Sequence, residues 1–226
     1  MSASRLVITG GLGALGSALV RKACEQGHGV AVIDHASRGD LPAGAHLIGG
    51  VDLTDAHQAS EAMQQAHQAL GGIDGLVNVA GGFRWVTVSD TKSDDWSDMF
   101  AMNVMTASNA TRAALPALKA TNRGSVVMIG AAGALKASAG MGPYAASKSG
   151  VHRLVEALAE ELKSEGVRVN AVLPSIIDTP TNRKDMPDAD PSAWVSPDAL
   201  AEVILFLLSE GARDVTGALV PVTGRV

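Results

Sequence analysis

A single tyrosine occurs in this 226-residue chain, in "YAASK", with a lysine four positions later. Residues four apart on a helix share a face, so Tyr144 and Lys148 can reach into one site. A free phenol, with a pKa of about 10, exchanges protons poorly at neutral pH. A neighbouring ammonium favours the phenolate, which suits the pair to giving a proton to a substrate or taking one back. Standing alone, a Y-x-x-x-K spacing is better read as an ordinary helix with a half-buried tyrosine and a surface lysine.

A second set of residues suits an anionic cofactor. "TGGLGALG", Thr9 to Gly16, directly follows the apolar run "RLVIT" and opens a helical pattern. Gly11, Gly13 and Gly16 fit G-x-G-x-x-G, whose glycines allow a tight turn and bring backbone N–H groups to a pyrophosphate at a helix N-terminus. Asp34 ends the next apolar run, in "VAVIDHASR". A carboxylate there accepts hydrogen bonds from the adenosine ribose and repels a 2′-phosphate. NAD(H) is therefore favoured over NADP(H), with Arg38 as the nearby cation that could instead take a phosphate.

The elements that must hold these groups are short strands alternating with helices. Residues 5–9, 29–33, 46–49, 75–79, 125–129, 167–173 and 218–222 read as β-branched runs with little polar alternation, as in parallel strands covered on both faces. Between them lie helical stripes. Leu15, Ala18, Leu19 and Ala23 share one face, and Leu200, Val203, Ile204, Leu207 and Leu208 follow i, i+3, i+4, i+7, i+8. Long helices are expected around 94–119 and 143–164. This order predicts an α/β chain, 1–226, forming a single Rossmann-type, doubly wound domain with a parallel sheet of about seven strands and helices on both faces. The Pro- and Asp-rich stretch 174–195 follows a strand at the carboxyl edge and reads as a substrate lid loop.

Composition excludes several classes. A net charge of −5 without a basic run argues against nucleic acid and anionic membrane partners. No apolar run is long enough to cross a bilayer, and "MSASRLVITGG" has no signal-like core. Cys24 is the one cysteine, so no internal disulfide can form; it reads as a small core residue. The expectation is a soluble cytoplasmic protein. The six histidines lack metal-ligand spacing, so no metal is assigned.

Taken together, these motifs resemble the short-chain dehydrogenase/reductase family over nearly the whole chain. "TGGLGALG" is similar to its TGxxxGxG, "NVAGG" (78–82) to its NNAG, "YAASK" to its YxxxK and "LPSIIDTP" to its PGxxxT. The resemblance implies cofactor contacts at Gly10, Gly11, Leu12, Gly13, Leu15 and Gly16. It implies further contacts at Asp34, at Asp52 and Leu53 of "VDLTD", and at Asn78, Ala80 and Gly81. Tyr144, Lys148, Pro174, Ile177 and Thr179 complete the cofactor set. The catalytic set it implies is Tyr144 as proton donor, Lys148 tuning it and holding ribose, and Asn103 supporting a proton relay. A serine that normally holds the reacting oxygen is replaced by Ala131. Within the family, "GMGPYAASKSGVHRL" and "AVLPSIIDTPTNRKDMPDAD" are similar to the dihydropteridine reductase branch, which also has alanine there and reduces quinonoid dihydropterins with NADH. Three functions follow as expectations. The leading one is an NAD(H)-dependent reductase of a dihydropterin-like or other electron-poor heterocycle. The alternatives are a carbonyl reductase or secondary-alcohol dehydrogenase, and a non-catalytic NAD(H)-binding sensor. Phe83, Trp85, Met141 and Trp194 are placed to flank a planar substrate, and each can equally be a packing residue; a homodimer or homotetramer is expected from the family.

Overall fold

Alternate residues of each strand feed two separate cores, which is why the strands lack polar alternation. In β1 (Arg5–Thr9), Leu6 and Ile8 enter one core and Val7 the other. Leu76 and Val77 of β4 (Gly75–Asn78) divide in the same way, as do Val126 and Val127 of β5 (Ser125–Ile129). The computed structural model describes residues 3–226. The remaining strands are β2 (Gly29–Asp34), β3 (His46–Gly49), β6 (Arg168–Pro174) and β7 (Leu219–Val222). All pair in parallel in the order β3-β2-β1-β4-β5-β6-β7. The seven-stranded parallel sheet and its flanking helices are as the alternating pattern predicts.

One face is covered by α1 (Ala14–Glu25) and α7 (Pro197–Leu208), which pack on each other as well as on the sheet. Ser196 caps α7 by accepting the N–H of Ala199 at 3.1 Å, and Pro197 occupies the first turn, where its missing N–H costs nothing. The other face is covered by α2 (Ala56–Leu70), α4 (Thr106–Ala120) and α5 (Gly142–Glu161). Ala59, Ala62 and Ala66 of α2 and Ala107, Ala110 and Ala114 of α4 are buried, and such small side chains let helices approach closely with few aromatics in the core.

Two features depart from the expected outline. The helix over 94–119 is interrupted: α3 (Asp95–Phe100) passes through a π-helical turn at Ala101–Met105 before α4 begins. There the N–H of Thr106 reaches back to the Ala101 carbonyl, and the Thr106 hydroxyl takes the Met102 carbonyl at 2.7 Å. The stretch 174–195 is also more ordered than an irregular loop. It holds the short α6 (Pro180–Asp185), capped by the Thr179 hydroxyl, and a 3-10 turn at Pro191–Ala193. Its ends are joined by an Ile177–Val195 bridge, with the N–H of Asp178 on the Val195 carbonyl at 2.8 Å. Among the described residues, no helix is long and apolar enough to cross a membrane.

Candidate active site

The strand order reverses beside β1, whose neighbours are β2 and β4, so the chain leaving β1 and the chain leaving β4 open a crevice at the carboxyl edge. Thr9 joins the two rims: its hydroxyl accepts the N–H of Ala80 at 3.2 Å. Gly10 turns with φ +66, and a Cβ there would stand 2.8 Å from the Ala80 backbone. A Cβ on Gly16 would lie 2.1 Å from the Gly10 carbonyl, so this turn closes only with glycine at 16. Gly13 differs. It is exposed, and a Cβ there would meet nothing nearer than 3.4 Å within the chain. Beyond it, α1 begins with no side-chain cap and no acidic residue in its first turn. Open glycine backbone at an uncapped helix N-terminus is a cradle suited to an anionic group.

Asp34 stands at the end of β2, half-buried, with its carboxylate accepting the N–H of Leu12 at 3.0 Å and that of Ala36 at 3.0 Å. It therefore holds the glycine turn, while Arg38 is exposed on the following loop. Asp52 accepts from the Thr54 N–H and hydroxyl, and these two bonds hold its carboxyl below the usual aspartate range. Two of the residues implied by the resemblance place their side chains in packing. Leu15 and Leu53 are buried in the two cores, so each can meet a cofactor only through backbone. Asn78 lies buried at the end of β4; its amide donates to the Thr111 hydroxyl at 2.9 Å, while its Oδ1 has no partner. Pro174 is buried at the end of β6, and Ile177 and Thr179 begin the ordered excursion.

The residues expected to do chemistry converge. Tyr144 lies in the first turn of α5, and Lys148 one turn further along. The Lys148 ammonium is buried and donates to the Ile129 carbonyl at 2.8 Å. A Cβ on Gly81 would be 2.6 Å from Asn103 Oδ1 and 3.6 Å from Lys148 Nζ, which puts all three side by side. Burial alone pushes the Tyr144 phenol up to about 12 and the Lys148 ammonium down to about 8. The expected lowering of the phenol by lysine does not appear: burial is the cause of the shift, and its direction is upward. Asn103 sits in the π turn. Its amide accepts the Gly82 N–H at 3.0 Å and donates to the Gly82 carbonyl at 3.1 Å and to Ser147 Oγ at 3.0 Å. Those bonds occupy both ends of the side chain, which makes Asn103 a brace between the β4 loop and α5.

Ala131 is buried, with extended backbone, just past the end of β5. No hydroxyl replaces it from nearby in sequence, since Ser138 is exposed in the turn before α5. Phe83 and Tyr144 meet edge to face at 4.8 Å between ring centroids, and Trp85 covers the Gly140 backbone; Phe83 and Trp85 keep more than half their surface exposed. Met141 is half-buried beside Gly133, whereas Trp194 is buried and offers no wall to a ligand. Sequence reasoning missed the supports. Thr9, Asn109, Thr111, Ser147 and His152 are polar, buried and directed at site backbone or side chains. Their signal was a polar residue on an otherwise apolar face, which becomes informative once its facing loop is known.

The short chain dehydrogenase family profile matches residues 4–190. The 2-(S)-hydroxypropyl-CoM dehydrogenase 3 of Xanthobacter autotrophicus is 31% identical over 241 residues, covering 97% of this chain and 94% of that protein. A 3-oxoacyl-acyl-carrier-protein reductase of Thermotoga maritima is 32% identical, covering 77% and 74% respectively. The crystal structure of carveol dehydrogenase from Mycobacterium avium in complex with NAD superimposes with a TM-score of 0.86 at 25% identity, covering 98% of this chain and 97% of that one. With the profile matching most of the chain and a relative of this identity aligned over nearly all of it, the protein is an oxidoreductase of the short-chain dehydrogenase/reductase family.

Proposed function

We propose that the chain is an NAD(H)-dependent reductase of a planar, electron-poor heterocycle, with quinonoid dihydropterin as the representative substrate. The observation that carries this reading is Ala131. A ketone gains from a preorganised donor at its developing oxyanion, worth roughly 3–4 kcal/mol in the transition state. An acceptor that is already strongly electrophilic needs only a hydride and a proton, and Phe83 and Trp85 offer it uncharged aromatic surface.

The residues present fit a dinucleotide. Gly13 and the uncapped start of α1 would receive the pyrophosphate, and Asp34 the adenosine ribose. The repulsion Asp34 would exert on a 2′-phosphate supports NAD(H) over NADP(H). NADH, when bound, supplies the hydride. Tyr144, a phenol at neutral pH, gives its proton from the hydroxyl oxygen to the reduced substrate atom. Lys148 supplies the adjacent cation that stabilises the resulting phenolate. Asn103 keeps the Gly82 loop and α5 in register while this occurs. The segment 174–195 would cover the substrate, with its base fixed by the Ile177–Val195 bridge. The resemblance to the family and the exposed Trp96, Phe100 and Met105 support a homodimer or homotetramer formed through α3, α4 and α5.

Steady-state oxidation of NADH and NADPH with quinonoid dihydropterin tests this. Turnover with NADH is expected, falling about 10²–10⁴-fold in Tyr144→Phe. Wild-type turnover no faster than that variant would overturn the reading.

A second reading, a carbonyl reductase or secondary-alcohol dehydrogenase, is favoured by the named activities of the relatives. Ala131→Ser separates the two: a large gain on ketones with none on pterins would favour the second.

A further inference from the structure

Lys148 and His152 stand one turn apart on α5, and each holds a different backbone group of the chain leaving β5. Lys148 takes the Ile129 carbonyl, as described, while His152 Nε2 accepts the N–H of Ala131 at 3.3 Å. The intervening residue makes room for the ring. A Cβ on Gly130 would lie 2.6 Å from His152 Nε2 and 3.3 Å from Leu173 Cγ. Gly130 itself uses its N–H on the Val172 carbonyl of β6 at 2.9 Å. The Ala131 N–H, one residue beyond the ladder, is buried, and the imidazole is its acceptor. Such a group would otherwise lose its hydrogen bond on leaving water, at real cost to the fold.

The direction of this bond fixes the state of the ring. With Nε2 accepting, the proton resides on Nδ1 and the imidazole is neutral. Protonation would put a donor at Nε2 against the Ala131 donor and a second positive charge one turn from Lys148. We propose that His152 is a positioning residue: neutral, it holds the Ala131 wall of the substrate site, and protonated, it lets that wall go. Acid pH would thus disable the site from beneath, at a residue that touches neither substrate nor cofactor.

The charged groups acting on His152 lie on its own helix. Burial, Arg153 and Lys148 lower its basicity, and Glu156 opposes them. The facing strands contribute Gly130 and Leu173, which do not titrate. The acid limb therefore falls below the ordinary histidine range of about 6.5. This inference rests on the Tyr144 site being the place of reduction.

The test combines pH–rate profiles with amide NMR on wild type, His152→Gln and His152→Leu. Rates are measured with NADH and either quinonoid dihydropterin or an aromatic α-diketone, so a failed pterin reading leaves the comparison intact. Glutamine offers an acceptor that does not titrate. His152→Gln should keep kcat within about threefold at neutral pH and lose the acid limb, whereas His152→Leu should lose about 10- to 100-fold in kcat with NADH affinity kept. In the wild type, the Ala131 amide shift should titrate together with the His152 ring. An acid limb that persists in His152→Gln, or an Ala131 amide that ignores the ring's titration, would overturn the proposal. So would full kcat in His152→Leu. Should the leucine variant fail to fold, the glutamine profile and the amide titration decide by themselves.

Discussion

Lys148 is a cation held where water cannot reach it, and at the residue scale this trades stability for chemistry. Its protonation midpoint falls from 10.5 to about 8 on burial. Between those pH values the unfolded chain binds a proton that the folded chain does not, so wild-type stability rises with pH through that window. From pH 7 to 9.5 the gain is on the order of 2 kcal/mol. Tyr144 acts with the opposite sign only higher, between 10 and about 12, where the folded chain holds the extra proton. Denaturant unfolding at pH 7 and 9.5 should show the rise in wild type and lose it in Lys148→Met, with NADH turnover abolished in the variant. Equal slopes for both proteins would show that the ammonium is not buried as described.

At the scale of elements, the turn between β1 and α1 separates two uses of glycine. Gly16→Ala pushes a methyl into the Gly10 carbonyl, and overpacking of this kind costs roughly 1–3 kcal/mol. Gly13→Ala has room within the chain, so its melting temperature should stay near wild type while NADH affinity falls. Calorimetry beside NADH titration distinguishes the two; an unimpaired NADH affinity in Gly13→Ala would remove the cradle from this turn. Elements of this kind were legible in sequence because strand runs, glycine spacing and the Tyr/Lys interval are local signals. Neither the π turn nor the hydrogen-bond partners of Asn103 were legible, because both depend on Gly82, Ser147 and Thr106 meeting in space. The order within 174–195 was hidden for the same reason. Its bridge pairs Ile177 with Val195, and its Asp178–Arg183 ion pair, at 2.6 Å, closes a turn that composition alone describes as loop. Of the two readings of Trp194, substrate wall or packing, its burial favours packing, because an aromatic near a lid can be the buried anchor of that lid.

For the whole molecule, several of the exposed apolar side chains lie together along α3 and the π turn. Trp96, Phe100 and Met105 are each more than a third exposed and frame a groove closed by Pro143 and Ala146 of α5. Covering that groove with a second copy would remove it from water. Light scattering on the wild type should give a dimer or tetramer, and Phe100→Glu a smaller species; a monomeric wild type would sink the assembly proposed for this face. The π turn beside the groove has a consequence of another order. It behaves as one residue inserted into what would otherwise run as a continuous α-helix. Deleting exposed Met102 should therefore restore an uninterrupted helix, leave α4 in phase with its core, and withdraw Asn103 from Gly82. Fold and site would then be separable by the loss of a single codon: the melting temperature would stay near wild type while turnover is lost.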